Sequence, residues 1–498
     1  MNETELKLQV PVARRAAVEA AVAGRALRAR VRLQAAYHDT VERRLAVAGL
    51  ALRMRREGRQ WVQTLKGAGD DGITRAEHNV PRGAGSAMPA IDLSLHAGTP
   101  VGDRLIALLG ADTALQTLYR TDIQRRTRVL AVRAQGRPLS RIELAFDSGR
   151  IEAGGSSVEV SELELELLTG EPLAVVDTAR GWLARFGLWL DLRSKAERGD
   201  LLARGEPMAP ARTAAQPHLD AEMTPEAAWQ QVLRSCAGQI LANASQIASG
   251  PHAPEHVHQL RVGLRRLRSG VALFERHDAA FAEGAAMLFR ALGAARDGVV
   301  VEDEFGAALD AAMHGAGLAP EAAAFAAPAD ETPPSELVRL SASQTMLLDL
   351  LAAMQEAPGG AAAGAPPLRE QLAKRLNRWH RQVVADTRRY AELDDEARHR
   401  LRKRAKRLRY GAEFSAALFG RRKVRRYLKA LRALQEQLGA VSDVVMAMAA
   451  FAPRAQAGDS QALFALGWLA ARRAALIAAA GPELKAFAKA DRFWKQGG

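Results

Sequence analysis

Cysteine is almost missing from this chain: Cys236 is the only one in 498 residues. A single cysteine excludes an intrachain disulfide and a cysteine-built zinc site, and fits a reducing compartment. Aromatic residues are also scarce, at 5%. That argues against a surface built to stack on nucleobases. No apolar run is expected to reach the length of a membrane span, and the N-terminus has no apolar signal core. The expectation is a soluble, cytoplasmic protein without a membrane partner.

Positive charge is abundant. The net charge is +14 and the isoelectric point about 10.3, so an anionic partner is expected. The excess is concentrated. Residues 401–450 carry 13 basic against 3 acidic residues, whereas 301–350 carry 1 against 9. A chain of this length has room for two or three domains.

Its two halves differ in texture. Residues 1–200 hold short alternating segments separated by Gly and Pro turns, with helical stretches near 12–26, 100–118 and 172–187. This is an α+β pattern dominated by antiparallel strands. Gly205-Glu-Pro-Met-Ala-Pro210 and Gln216-Pro217 read as a linker, and beyond Thr224-Pro225 nearly everything has helical periodicity. The expected domains are therefore 1–204, a linker at 205–219, and an all-α domain at 220–498.

In the first half, charged residues recur two apart: Glu3/Glu5/Lys7, Arg53/Arg55, Arg75/Glu77, Glu143/Ala145/Asp147 and Glu162/Glu164/Glu166. In a strand such residues share a face. One such strand is an ordinary solvated face. Several together suggest a sheet rolled around a charged interior. There carboxylates would hold divalent cations, and Arg and Lys would hold a polyanion. A linear triphosphate needs that combination: its clustered charges must be neutralised and a water held in line.

The second half contains a repeat. His258-Gln-Leu-Arg261-Val-Gly-Leu-Arg265-Arg266-Leu-Arg268 aligns with His399-Arg-Leu-Arg402-Lys-Arg-Ala-Lys406-Arg407-Leu-Arg409. Offsets 0, 3, 7 and 10 lie on one face of a helix. Each copy is followed by Leu-Gly-x-x-x-Asp, at 292–297 and 438–443. The pattern predicts a duplicated helical unit. A basic helix face can follow a string of phosphates without aromatic stacking, and the two histidines would bind it better when protonated. Nucleic acid ranks behind, because no base-reading motif accompanies the basic helices.

The first half resembles the CYTH family, the triphosphate tunnel metalloenzymes. The carrying motifs occur in family order: Glu3-Thr-Glu5-Leu-Lys7, Tyr37-His-Asp39-Thr40, Arg53-Met-Arg55, Trp61-Val-Gln-Thr64-Leu-Lys66-Gly67, Arg75-Ala-Glu77, Thr121-Asp122-Ile-Gln-Arg125, Glu143 through Asp147, Glu162-Leu-Glu164-Leu-Glu166 and Ser194-Lys195. The resemblance implies an eight-stranded antiparallel tunnel barrel with flanking helices. It also implies Mg²⁺ or Mn²⁺ on Glu3, Glu5, Asp147, Glu162 and Glu164. The phosphates would meet Lys7, Arg53, Arg55, Lys66, Arg125 and Lys195, with Glu3, Glu5, Lys7 and Lys66 central to catalysis. His78 and Arg128 depart from the family pattern, with consequences expected for packing or tunnel shape.

The repeat resembles the CHAD family, which implies paired helical bundles that bind inorganic polyphosphate through His258, Arg261, Arg265, Arg266, Arg268, His399, Arg402, Lys406, Arg407 and Arg409. Bacterial inorganic triphosphatases share this arrangement. The implied function is metal-dependent hydrolysis of inorganic triphosphate to pyrophosphate and phosphate by a cytoplasmic protein associated with polyphosphate granules. Two other readings stand beside it. One is an organic-triphosphate enzyme, a thiamine triphosphatase or class IV adenylate cyclase. The other is chiefly a polyphosphate-binding protein. Truncation near residue 205 is expected to leave an active barrel.

Overall fold

The computed structural model describes residues 2–24, 29–67, 69, 73–110, 113–133, 138–319, 332–356 and 366–495, without the side chains of 2 and 294–304. In the first half, strands β1 (Asn2–Gln9), β2 (Val31–Asp39), β3 (Leu50–Glu57), β4 (Gln60–Gly67), β5 (Thr74–Ala84), β6 (Gln116–Val132), β7 (Ser140–Ala153) and β8 (Ser156–Thr169) form one antiparallel sheet. Their order is β5-β4-β3-β2-β6-β7-β8-β1, and pairing of β1 with β5 closes the barrel. A two-residue strand, β9 (Trp189–Leu190), adds to β1. Helices α1 (Arg15–Ala23), α2 (Arg44–Val47), α3 (Pro100–Leu109), α4 (Pro172–Phe186) and α5 (Lys195–Ala203) complete this half. The stretch expected to be helical to residue 118 stops at Leu109, where Gly110 takes a φ of 74°. Glycine adopts that conformation without a Cβ penalty, and it ends the helix.

The barrel inverts the usual polarity. On β8, Leu163 and Leu165 alternate with Glu162 and Glu164, and the leucines are fully buried. On β1, Leu6 and Leu8 alternate likewise with Glu5 and Lys7. The apolar residues face outward, under covering helices. Leu50, Leu52 and Leu65 pack against Val101, Leu105 and Leu109 of α3. Each such leucine contributes about 1.5–3 kcal/mol by leaving water. The covered exterior stabilises the fold and leaves the interior to charge.

One end of the interior is apolar. Leu33, Ala35, Tyr37, Tyr119, Ile123, Ile151 and Val160 meet Ala196 and Leu202 of α5 there. Gly199 makes this docking possible, since a Cβ on it would lie 2.3 Å from the Tyr119 ring. Of the two family departures, His78 packs outside the charged interior against buried His96, with Nδ1 atoms 2.9 Å apart. Arg128 donates to the Ala21 carbonyl of α1.

The remaining helices are α6 (Pro225–Ala248), α7 (Pro254–Phe274), α8 (Phe281–Gly315), α9 (Pro334–Arg339), α10 (Ser341–Gln355), α11 (Leu368–Arg388), α12 (Asp395–Phe414), α13 (Arg421–Gln456), α14 (Ser460–Ala479) and α15 (Gly481–Ala488). The repeat is visible in their lengths. α7 and α8 have 21 and 35 residues; α12 and α13 have 20 and 36.

The chain divides into two compact units, and the division does not follow the sequence. One comprises 1–213, 237–260 and 338–356; the other comprises 214–236, 261–337 and 357–498. Among the described residues, two stretches, Arg421–Gln456 and Ser460–Ala488, are long enough to cross a membrane and each holds an 18-residue window apolar enough to do so, with mean hydropathy 1.3 and 1.5. Arg421–Gln456 packs its apolar stripe (Leu431, Leu434, Leu438, Val441) inside the second unit.

Candidate active site

Strand register gathers the charged residues. Arg125 lies opposite Asp147, Asp147 opposite Glu162, Lys7 opposite Glu164, and Glu5 opposite Glu166. On the other side Glu3 lies opposite Arg75 and Lys66 opposite Glu77, while Arg53 lies opposite Tyr37. Glu5 and Glu166, far apart in sequence, become cross-strand neighbours because β1 and β8 pair antiparallel.

Asp147, Glu162 and Glu164 each offer an oxygen within 4.8 Å of the others, and all three are buried or nearly so. The Lys195 ammonium sits among them, 2.6 Å from Asp147 and 2.8 Å from Glu164, and also bonded to Glu162. Arg125 grips Asp147 with two hydrogen bonds of 2.7 Å and also bonds Glu164. Arg198 bonds Glu162. Burial opposes the charge on Glu164, but Lys195, Arg125 and Lys7 outweigh it and hold the carboxyl well below its usual range. Three convergent carboxylates are a donor set that could hold a metal ion.

Glu3 and Glu5 stand beside this trio in different states. Burial and a hydrogen bond with Glu77 push the Glu3 carboxyl up to about 8. Burial also disfavours charge on Glu5, but Lys7, Lys66 and Arg75 outweigh it and hold it at about 2. Lys66 binds Glu3 at 2.8 Å and Glu77 at 2.6 Å.

The cationic wall is less fully paired. Arg53 donates to the Tyr37 hydroxyl at 3.2 Å, and Arg55 reaches Glu57 at 2.5 Å. The Nε atoms of both are buried without an acceptor. Burial and the neighbouring Arg53 lower Arg55 to about 10, so it stays charged at neutral pH. Buried donors lacking acceptors are costly, and an anion would satisfy them.

All eleven residues expected in the metal and phosphate sets (Glu3, Glu5, Lys7, Arg53, Arg55, Lys66, Arg125, Asp147, Glu162, Glu164 and Lys195) carry their charge on this one face of the barrel and α5. Arg198, not among the expected site residues, joins them by bonding Glu162. Its signal was its position three residues after Lys195, on the same helical face.

The second unit holds a basic row. Arg261, Arg265 and Arg268 gather around Phe289, with guanidinium carbons 5.1, 5.5 and 5.5 Å from its centroid. Lys406 lies among Arg265, Arg402, Arg409 and Asp443; burial and these arginines lower its ammonium to about 6. Arg402 reaches Asp443 at 3.3 Å. His399 is exposed nearby, and His258 is half-buried on α7.

The two residues at offset 8 leave the row. Arg266 is buried against Phe414 and donates to the Ala215 carbonyl at 2.8 Å. Arg407 stacks on Trp379 at 4.8 Å. An offset of 8 falls about a quarter-turn beyond 7 on a helix, which explains the parting. The Asp297 side chain lies outside the described residues.

Comparison with known proteins agrees with this geometry. The CYTH domain model matches residues 1–199, and the CHAD domain model matches 231–452. The chain carries a CYTH domain followed by a CHAD domain. It is 29% identical over 173 residues to an inorganic triphosphatase of Haemophilus influenzae. That match covers 33% of this chain and 44% of the relative, so the chain spans less than half of that curated relative's length. The crystal structure of a CHAD domain from the plant Ricinus communis is 28% identical, covering 56% of this chain and 96% of that one, with a TM-score of 0.44. A Hippeastrum protein described as a putative adenylyl cyclase with a dominant triphosphatase activity is 20% identical, covering 42% of this chain and 98% of its own, with a TM-score of 0.28.

Proposed function

We propose that the CYTH barrel hydrolyses inorganic triphosphate to pyrophosphate and phosphate with Mg²⁺ or Mn²⁺, and that the CHAD domain binds inorganic polyphosphate. The observation carrying this reading is the Lys195 ammonium among Asp147, Glu162 and Glu164, facing a wall with unsatisfied Arg53 and Arg55 donors.

Asp147, Glu162 and Glu164 would hold the divalent cation, with Glu5 beside them. A bound cation supplies neutralisation of phosphate oxygens and polarises the attacked phosphorus. Arg53, Arg55, Lys66, Arg125 and Lys7 grip the non-bridging oxygens and fix the chain of phosphates along the lumen. A water attacks the terminal phosphorus in line and its proton passes to a carboxylate. The bridging P–O bond breaks, and pyrophosphate departs with its charge balanced by the same cations.

The CHAD reading rests on the basic row. Arg261, Arg265, Arg402, Lys406 and Arg409 present a sequence of donors without base-stacking rings. On this reading the protein is cytoplasmic and works where polyphosphate accumulates. The domains responsible would be 1–204 and 220–498. Turnover of triphosphate, thiamine triphosphate and ATP, each with Mg²⁺ and with Mn²⁺, tests the substrate. Preference for either organic substrate overturns the inorganic assignment.

A further inference from the structure

Between α4 and α5, one strap leads into the charged lumen. It runs from Trp189 to Ser194 and ends in α5, whose first residue is Lys195. Ser194 starts that helix through a reciprocal capping box with Glu197. Three residues after Lys195, Arg198 binds Glu162. Placement of two lumen cations therefore depends on where this strap lies.

The strap's amides alternate between two sets of partners. Asp191 N–H donates to the Lys7 carbonyl at 3.1 Å, on the barrel side. Leu190 N–H donates to Gln344 Oε1 at 2.7 Å, and Leu192 N–H to Ser245 Oγ at 3.1 Å. Both of these acceptors come from helices matched to the other half of the sequence. Gln344 is fully buried and is itself fixed by donating to the Val338 carbonyl at 2.8 Å. Ser245 is 2% exposed. Arg193 clasps buried Asp191 at 2.9 and 2.7 Å and donates to Gln246 at 3.2 Å. From the lumen, Arg75 donates to the Leu192 carbonyl at 3.0 Å. All of these residues belong to the first compact unit.

We infer that the segments 237–260 and 338–356 are working parts of the catalytic unit, with Gln344 and Ser245 as positioning residues for Lys195, Arg198 and Arg75. Their acceptors satisfy two strap amides that the barrel alone leaves without partners. Without them the strap keeps its pairing with β1, the Asp191 bond to Lys7 and the Arg75 bond to Leu192, but loses both anchors on its other side, so its position and that of α5 are less firmly set. The inference rests on the proposed triphosphatase reading for its kinetic consequence, but its structural consequence can be measured without substrate.

The experiment uses the full-length chain. Ser245→Ala and Gln344→Ala, singly and together, are compared with Ser245→Thr, which keeps the hydroxyl. Hydrogen exchange is followed at 189–203 and, as a control, across β3 and β4. Triphosphate turnover is measured on the same samples. The Ala variants are expected to lose protection at 189–195 with β3 and β4 unchanged, and to lower kcat/KM on the order of tenfold. Ser245→Thr is expected to match the wild type in both. Unchanged protection and turnover in both single variants overturns the inference. Global loss of protection in the double variant leaves the singles to decide. If the wild type turns over no triphosphate, the functional reading fails, while strap protection still reports on positioning.

Discussion

Charge at single positions decides what this chain can do, and Lys406 shows the cost. An ammonium lowered from its ordinary 10.5 to about 6 binds fewer protons folded than unfolded between those values. Stability contributed by this group therefore rises with pH through that window. Lys406→Met is expected to raise Tm, most at pH 6 and below and progressively less toward pH 10, as thermal melts across pH would show. The same substitution should weaken polyphosphate retention. In the wild type an incoming polyanion would draw a proton onto Lys406, so calorimetry in buffers of different ionisation enthalpy should detect proton uptake at pH 7–8. Affinity should fall as pH rises above 6.

In the barrel, Glu164→Gln is expected to reduce metal-dependent turnover at least about a hundredfold while leaving the melt cooperative, because it removes one carboxylate of three and leaves Lys195 its other partners. Normal turnover would remove Glu164 from the site. Arg55→Ala should raise KM for triphosphate about tenfold or more, the effect of losing a charge-assisted phosphate contact. An unchanged KM would show that the unpaired Nε serves another purpose.

At the scale of elements, the two-residue charge alternation was legible because the strand period is two and each charged face had an apolar reverse. Glu162-Leu-Glu164-Leu-Glu166 could form little else once Leu163 and Leu165 were buried. Helix α5 was less legible. Its capping Ser194 was present in the sequence, but nothing local announced that Gly199 would lie against Tyr119. Gly199→Leu is expected to push α5 off that ring and destabilise by about 1–3 kcal/mol, the usual range for overpacking. A chemical denaturation curve would measure it, and turnover should fall in parallel because Lys195 moves with the helix. The offset-8 arginines show the limit of motif matching. Arg266 and Arg407 recur at the same place in both repeats, yet the helical angle turns them into packing against Phe414 and Trp379.

For the whole molecule, family boundaries and compact units differ. The CYTH match ends at 199, whereas the first unit recruits 237–260 and 338–356. Truncation near residue 205, expected from sequence to leave an active barrel, would expose the Leu190 and Leu192 amides and strip the Arg339 guanidinium that covers Trp189 at 4.2 Å. The fragment is expected to bind metal but to turn over triphosphate more slowly than the full chain. Equal kcat/KM would restore the simpler division.

Sequence alone determined which faces would be charged, which would be apolar, and that the helical half is a duplication. These follow from periods of 2 and 3.6 residues, which short stretches of chain impose on themselves. Only the tertiary structure decided that Lys195 would stand among three carboxylates from two strands, that Lys406 would lie in a crowd of arginines, and that two later helices would hold the strap behind the lumen. Those outcomes depend on contacts between distant segments, and on desolvation, which no local pattern encodes.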